Sequence, residues 1–166
     1  MSKNFSPEDR NKYVLTVKKN LQEKVKVVKD DFLKKPTGTA TVEAYTRLID
    51  DIIVSIYRTF SDNYYQQPAS GNTEPPLSLI AIGGYGRGEL NIGSDIDILF
   101  LYKNKSDSFV DYMASNLLSF LWDIGLEVGH SSRSINDCLV IARNDFESLT
   151  ALMESRPIIG SGRLYS

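Results

Sequence analysis

Residues 79–101 read LIAIGGYGRGELNIGSDIDILFL, and this stretch decides the fold. The apolar run from Leu77 to Ile82 is that of a buried strand. A glycine-dense turn follows it, GGYGRGEL, with Gly83, Gly84, Gly86 and Gly88. Ser94-Asp95-Ile96-Asp97-Ile98 then opens a second apolar run. Successive side chains of a strand point to opposite faces, so Asp95 and Asp97 share one face while Ile96, Ile98 and Phe100 enter the core. Two neighbouring carboxylates repel each other unless something positive sits between them. Mg²⁺, which takes carboxylate and phosphate oxygens together, suits that place.

Either feature alone says little. A glycine-rich turn between strands is ordinarily a turn, and an Asp-x-Asp pair is ordinarily a solvated strand end. Side by side they complement each other. Glycines let backbone N–H groups come close to a phosphate, and the carboxylates hold the cation that neutralises it.

Gly83-Gly84, followed eleven positions beyond Gly84 by Asp95-Ile96-Asp97 within apolar strands, resembles the nucleotidyltransferase superfamily that includes DNA polymerase β. The longer string GGYGRGELNIGSDIDILFL resembles the N-terminal catalytic domain of the bacterial [protein-PII] uridylyltransferases, and LWDIGLEVGHSSR, Leu121 to Arg133, resumes the likeness. The likeness covers the second half of the chain well and the first half loosely. It implies a small mixed α/β domain of the polymerase-β-like nucleotidyltransferase fold, fronted by a helical hairpin.

At 166 residues and 42% hydrophobic content the chain can bury one core, so a single structural domain is expected. Residues 1–66 should form the hairpin and residues 77–166 the nucleotidyltransferase core of a longer enzyme. No run reaches the length of a membrane span, and MSKNFSPEDRNK lacks the apolar centre of a secretory signal. One cysteine, Cys138, excludes an internal disulfide framework. A cytoplasmic protein is the expectation. The net charge of −2 argues against a grip on nucleic acid, although residues 1–35 carry a balance of +5.

Ser6-Pro7-Glu8-Asp9 has the signature of a helix start, and Val14, Val17, Leu21, Val25, Val28 and Phe32 supply the apolar stripe that follows. Pro36-Thr37-Gly38 should break it. A second helix is expected from about Thr41 to Tyr64, with Val42, Tyr45, Ile49, Ile52, Ile56 and Phe60 buried. Gln66 to Pro76 is a polar loop, expected to be mobile. Ser106 or Asp107 should cap a helix bearing Phe109, Met113, Leu117, Leu121 and Ile124, which Gly125 ends. Leu126 to Ser134 returns as a strand, the crossover pattern of a mixed sheet. Asp137–Arg143 and Asp145–Ser155 read as short helices, the second stopped by Pro157.

In nucleotidyl transfer, an acceptor oxygen attacks the α-phosphate and pyrophosphate departs, a task that two metal ions can serve. Asp95 and Asp97 are the expected catalytic, metal-bridging pair. Gly83, Gly84, Arg87 and Ser94 form the expected nucleotide-binding set, the glycines through backbone N–H groups and Arg87 through a terminal phosphate. Superfamily members usually supply a third carboxylate from a later strand. Glu127 is the natural choice for that catalytic and metal-binding role, with Asp123 and Asp137 as fallbacks. His130, the sole histidine, has the opposite strand parity, so a packed, hydrogen-bonded role suits it better than that of a base.

The resemblance implies transfer of UMP from UTP to a tyrosine hydroxyl on a PII-type nitrogen-signalling protein, dependent on Mg²⁺. One alternative is transfer of AMP or another nucleotide to a different acceptor, as in glutamine synthetase adenylyltransferase, which is similar in its glycine turn and Asp-x-Asp layout. Another is a silent nucleotide-binding regulatory module docking through the basic first helix. The sequence leaves the base and the oligomeric state open.

Overall fold

The first helix starts as its chemistry dictates. The Ser6 hydroxyl oxygen accepts from the Asp9 N–H at 3.0 Å, Pro7 is the first helical residue, and Glu8 and Asp9 face the positive end of the helix dipole. The computed structural model describes residues 6–65, 75–103 and 107–165. Within these, α1 (Pro7–Lys34) and α2 (Gly38–Tyr65) form the hairpin, with the Tyr13 hydroxyl 3.3 Å from Thr59 Oγ1 near its open end.

Helix α2 is the inner one. It buries Tyr45, Ile49, Ile53, Ile56, Tyr57 and Phe60, whereas α1 fully buries only Leu21 and lays Tyr13, Val14, Val17 and Val25 partly against the core. Phe32, expected to close the α1 stripe, is 40% exposed. Beyond Val25 the stripe faces Ala40, Thr41 and Ala44, which are too short to fill the groove opposite Val28 and Phe32. Across the other side, Arg10 of α1 pairs with Asp123 at 2.7 Å and donates to the Ser119 hydroxyl at 2.9 Å.

The remaining elements are β1 (Leu77–Ala81), α3 (Gly83–Gly86), β2 (Ile96–Tyr102), α4 (Ser108–Asp123), β3 (Val128–Ser134), α5 (Ile135–Asn144), α6 (Phe146–Met153), β4 (Arg156–Gly160) and α7 (Gly162–Tyr165). The sheet order is β3-β2-β1-β4, with β1 antiparallel to both neighbours and β2 parallel to β3 through the α4 crossover. Leu77, Leu79, Ala81, Ile96, Ile98 and Phe100 pack with α2 and α4, and Ile80, Leu99 and Leu101 pack with Cys138 of α5 on the reverse face. The expected mixed α/β nucleotidyltransferase fold, with its hairpin, is what the chain adopts. No helix among the described residues is long and apolar enough to cross a membrane.

Several boundaries move. Helix α2 begins at Gly38, before the expected Thr41. Of the two candidate caps on α4, Asp107 accepts from the Phe109 N–H at 2.9 Å, and Ser106 lies outside the described residues. So do residues 66–74 of the loop that was expected to be mobile. Pro157 does not simply stop a helix: α6 ends at Met153, and Pro157 sits in β4 opposite Ile80, beside a register shift. Proline is tolerated there because β4 is an edge strand and the shift breaks the ladder.

Gly86 is where α3 meets α6. A β-carbon at this position would overlap the Glu154 carbonyl oxygen and lie 2.9 Å from that of Ala81, both backbone atoms. Gly86→Ala should therefore destabilise the fold by about 1–3 kcal/mol, read as a lower midpoint in denaturant unfolding.

Candidate active site

The glycine turn and the Asp-x-Asp strand are joined at their roots. The Ile82 N–H donates to the Asp97 carbonyl at 3.1 Å, and the chain then reverses through Gly83 at φ +60°, a left-handed conformation natural to glycine. Helix α3 is only four residues long. The first N–H groups of a helix have no partner within it, and Ile82 ahead of them supplies no side-chain cap. Gly83, the first residue of this turn, lies against Asp97.

Asp97 lies between two glycines. A β-carbon on Gly83 would come within 3.5 Å of Asp97 Oδ2, and one on Gly129 would overlap Asp97 Oδ1. Gly129 is there because the parallel register pairs it with Asp97. On the Gly129 flank a side chain is excluded outright, whereas at Gly83 a β-carbon would make an ordinary contact and it is the left-handed backbone that calls for glycine.

Burial, and secondly the charge of Asp95, push the Asp97 carboxyl above the ordinary aspartate range. Its ionised form therefore burdens the metal-free fold at pH above that raised value, and the burden fades as the pH falls and Asp97 takes up its proton. Asp95→Asn removes one of the two causes. The metal-free variant should melt at a higher temperature than the wild type near neutral pH, with the gap closing on acidification. Thermal unfolding across a pH series reads this directly.

The other residues expected from the sequence are placed as follows. Ser94 is exposed in the turn just before Asp95, its N–H bonded to the Asn91 carbonyl at 3.1 Å. Arg87 is engaged by Glu89 at 2.9 Å and by the Glu154 carboxylate, so a phosphate would have to draw it from both. Glu127 is exposed one residue before β3, not inside it, and its carbonyl accepts from the Ile96 N–H at 2.9 Å. The fallback acids have other work: Asp123 pairs with Arg10, and Asp137 forms a capping box with Ser134. His130 is exposed rather than packed inside, with its ring 6.0 Å from that of Trp122. It is in register with Ile98, one step out of phase with Asp97.

Among the described residues no three His, Cys, Asp or Glu side chains stand together as a metal-holding group, and Asp95 and Asp97 are a pair of carboxylates only. That pair fits Mg²⁺. Both donors are hard oxygens, and this ion is commonly held by one or two carboxylates with the rest of its shell left to water and substrate phosphate. The missing side chain at Gly129 is what lets the Asp97 carboxylate take up its position, with Oδ1 in the space a β-carbon would fill.

Some parts of the site carry no motif. Gly129 could have been suspected, because a glycine inside a strand pattern often marks close backbone approach. Asp50, Arg156 and Tyr85, which bond to one another beneath the turn, gave no local signal. Neither did Thr46 of α2, whose hydroxyl donates to the Gly88 carbonyl at 3.0 Å and accepts from the Leu90 N–H at 3.1 Å.

A glycine turn packed against paired aspartates at the head of a mixed sheet marks a nucleotidyltransferase domain of the polymerase-β-like kind. The chain belongs to the family whose model is described as glutamate-ammonia ligase adenylyltransferase, which matches residues 8–117. It is also homologous to proteins named bifunctional uridylyltransferase/uridylyl-removing enzyme. That of Nitrosococcus oceani is 35% identical over 92% of this chain, and that of Vibrio parahaemolyticus is 36% identical over 95%. The Photobacterium profundum protein is 37% identical over 80%. The aligned region makes up 16%, 17% and 14% of these relatives, so the chain spans about one sixth of their length. The resemblance seen in the motif is thus borne out by homology along most of the chain.

Proposed function

We propose that this domain transfers UMP from UTP to a tyrosine hydroxyl of a PII-type signalling protein and releases pyrophosphate. The observation that carries the reading is the Asp97 carboxylate, held between Gly83 and Gly129 beside the opening of α3, in a chain homologous to uridylyltransferases. Gly83 and Gly84 present N–H groups to the triphosphate, and Ser94 borders it. Arg87 leaves Glu89 and Glu154 to meet a terminal phosphate. Asp95 and Asp97 hold Mg²⁺, with Glu127 as a further ligand from the approach to β3. When bound, one or two such ions would activate the acceptor oxygen and neutralise the leaving pyrophosphate. Residues 1–66 and 77–166 act as one unit in this proposal, in a cytoplasmic setting and without nucleic acid.

A second reading, transfer of AMP, is favoured by the adenylyltransferase description of the matching family. The two separate in one assay: labelled UTP, ATP, CTP and GTP are each supplied with Mg²⁺ and a PII protein. Label on a PII tyrosine from UTP alone is the expected result. Turnover with ATP and none with UTP would replace the first reading with the second. A folded protein that labels nothing, and binds none of the four nucleotides, would contradict both.

A further inference from the structure

Beneath the glycine turn lies a polar cluster that the reaction chemistry does not call for. Tyr85, the central aromatic residue of α3, is 1% exposed, and its hydroxyl donates to Asp50 Oδ1 at 2.6 Å. Arg156 closes on the same carboxylate with a fork, Nη1 to Oδ2 at 2.9 Å and Nη2 to Oδ1 at 3.1 Å. Nη2 also reaches the Tyr85 carbonyl at 3.4 Å, and the guanidinium stands 5.4 Å from the Tyr85 ring centroid. The three residues come from α2, from the edge strand β4 and from the turn itself.

A partly buried ion pair is an indifferent way to add stability, since desolvating the charges offsets most of their attraction. It is a good way to fix direction. A guanidinium–carboxylate fork has one preferred geometry, and here the carboxylate also receives the tyrosine hydroxyl. Tyr85 directly follows Gly83 and Gly84, and its buried, hydrogen-bonded ring anchors that segment of the backbone to α2. Thr46, one helical turn before Asp50, grips the backbone on the far side of the turn through Gly88 and Leu90. The hairpin thus holds the glycine turn at two points.

We propose that Asp50 and Arg156 are positioning residues for the nucleotide: acting through Tyr85, they aim the Gly83 and Gly84 N–H groups at the triphosphate. The inference rests on the nucleotidyl-transfer reading and extends it, making the helical hairpin a working part of the nucleotide site.

The test compares Tyr85→Phe, Asp50→Asn and Arg156→Lys with the wild type. Arg47→Ala, which removes an exposed pair with Glu43 on the same helix, is the control. KM for Mg·UTP and kcat are measured with a PII acceptor, and hydrogen exchange over residues 83–90 is followed without ligand. The expected result is a rise in KM of about tenfold or more with kcat changed far less, together with faster exchange in the turn. Arg156→Lys should fail like the others, because an ammonium lacks the fork. Tyr85→Phe deletes one hydroxyl and keeps the buried ring, so it reports even where a charge change unfolds the protein. Unchanged KM in Tyr85→Phe, or faster exchange in the turn with unchanged KM, would overturn the positioning role. A wild type that neither binds nor turns over any nucleotide would instead remove the parent reading, and this inference with it.

Discussion

Asp97→Asn should lower nucleotidyl transfer by about 10²–10³-fold or more while leaving the fold intact. Asparagine has the same shape, so the space between Gly83 and Gly129 is kept. What goes is the anionic charge that holds a divalent cation. The cost of burying a charge and the like-charge repulsion, which lift the Asp97 carboxyl, disappear with it, so the metal-free variant should be no less heat-stable than the wild type. Lost activity without lost stability is the signature of a carboxylate kept for function. The measurement pairs steady-state transfer rates with thermal unfolding in a chelator. A variant that is inactive because it is unfolded would leave that signature unmet.

Gly129→Ala should be nearly as damaging to activity, although Gly129 lies outside both motifs. The added methyl would overlap Asp97 Oδ1, and the carboxylate is the group able to give way. The protein relaxes by turning Asp97 out of its place, and a displacement of about 1 Å at a catalytic group can cost 10²-fold in rate. Stability should change little, in contrast to Gly86→Ala, where the overlap is with backbone on both sides. Transfer rates and Mg²⁺ affinity should fall together in Gly129→Ala while its unfolding midpoint stays near that of the wild type. Full activity in this variant would show that Asp97 does not work from the position seen here.

Much of the fold was legible because its period is local. The α4 stripe of Phe109, Met113, Leu117, Leu121 and Ile124 is buried as its spacing predicts, and so are Ile96, Ile98 and Phe100 of β2. Strand β4 escaped notice because it is five residues long, contains proline and pairs with a partner some eighty positions away, Ser78 with Gly160. The placement of Gly83 at the turn and of Asp95 and Asp97 at the mouth of β2 was legible in the motif. What surrounds them was not. Strand alternation gives each residue its face but not its register, so the meeting of Asp97 with Gly129 could not be read from spacing. The Asp50–Arg156 pair joins residues more than a hundred positions apart, and Arg87 takes its carboxylate partners from its own loop and from the end of α6. Such contacts belong to the tertiary fold, and no local pattern encodes them.

The central claim is that the paired aspartates and the glycine turn together bind a nucleoside triphosphate with a divalent cation. Calorimetric titration of Mg·UTP into the wild type and into the Asp95→Asn/Asp97→Asn double variant tests it most directly. The account predicts saturable binding that requires Mg²⁺ in the wild type and is lost in a folded double variant. Binding of equal strength in the double variant, or none in a folded wild type, would contradict it.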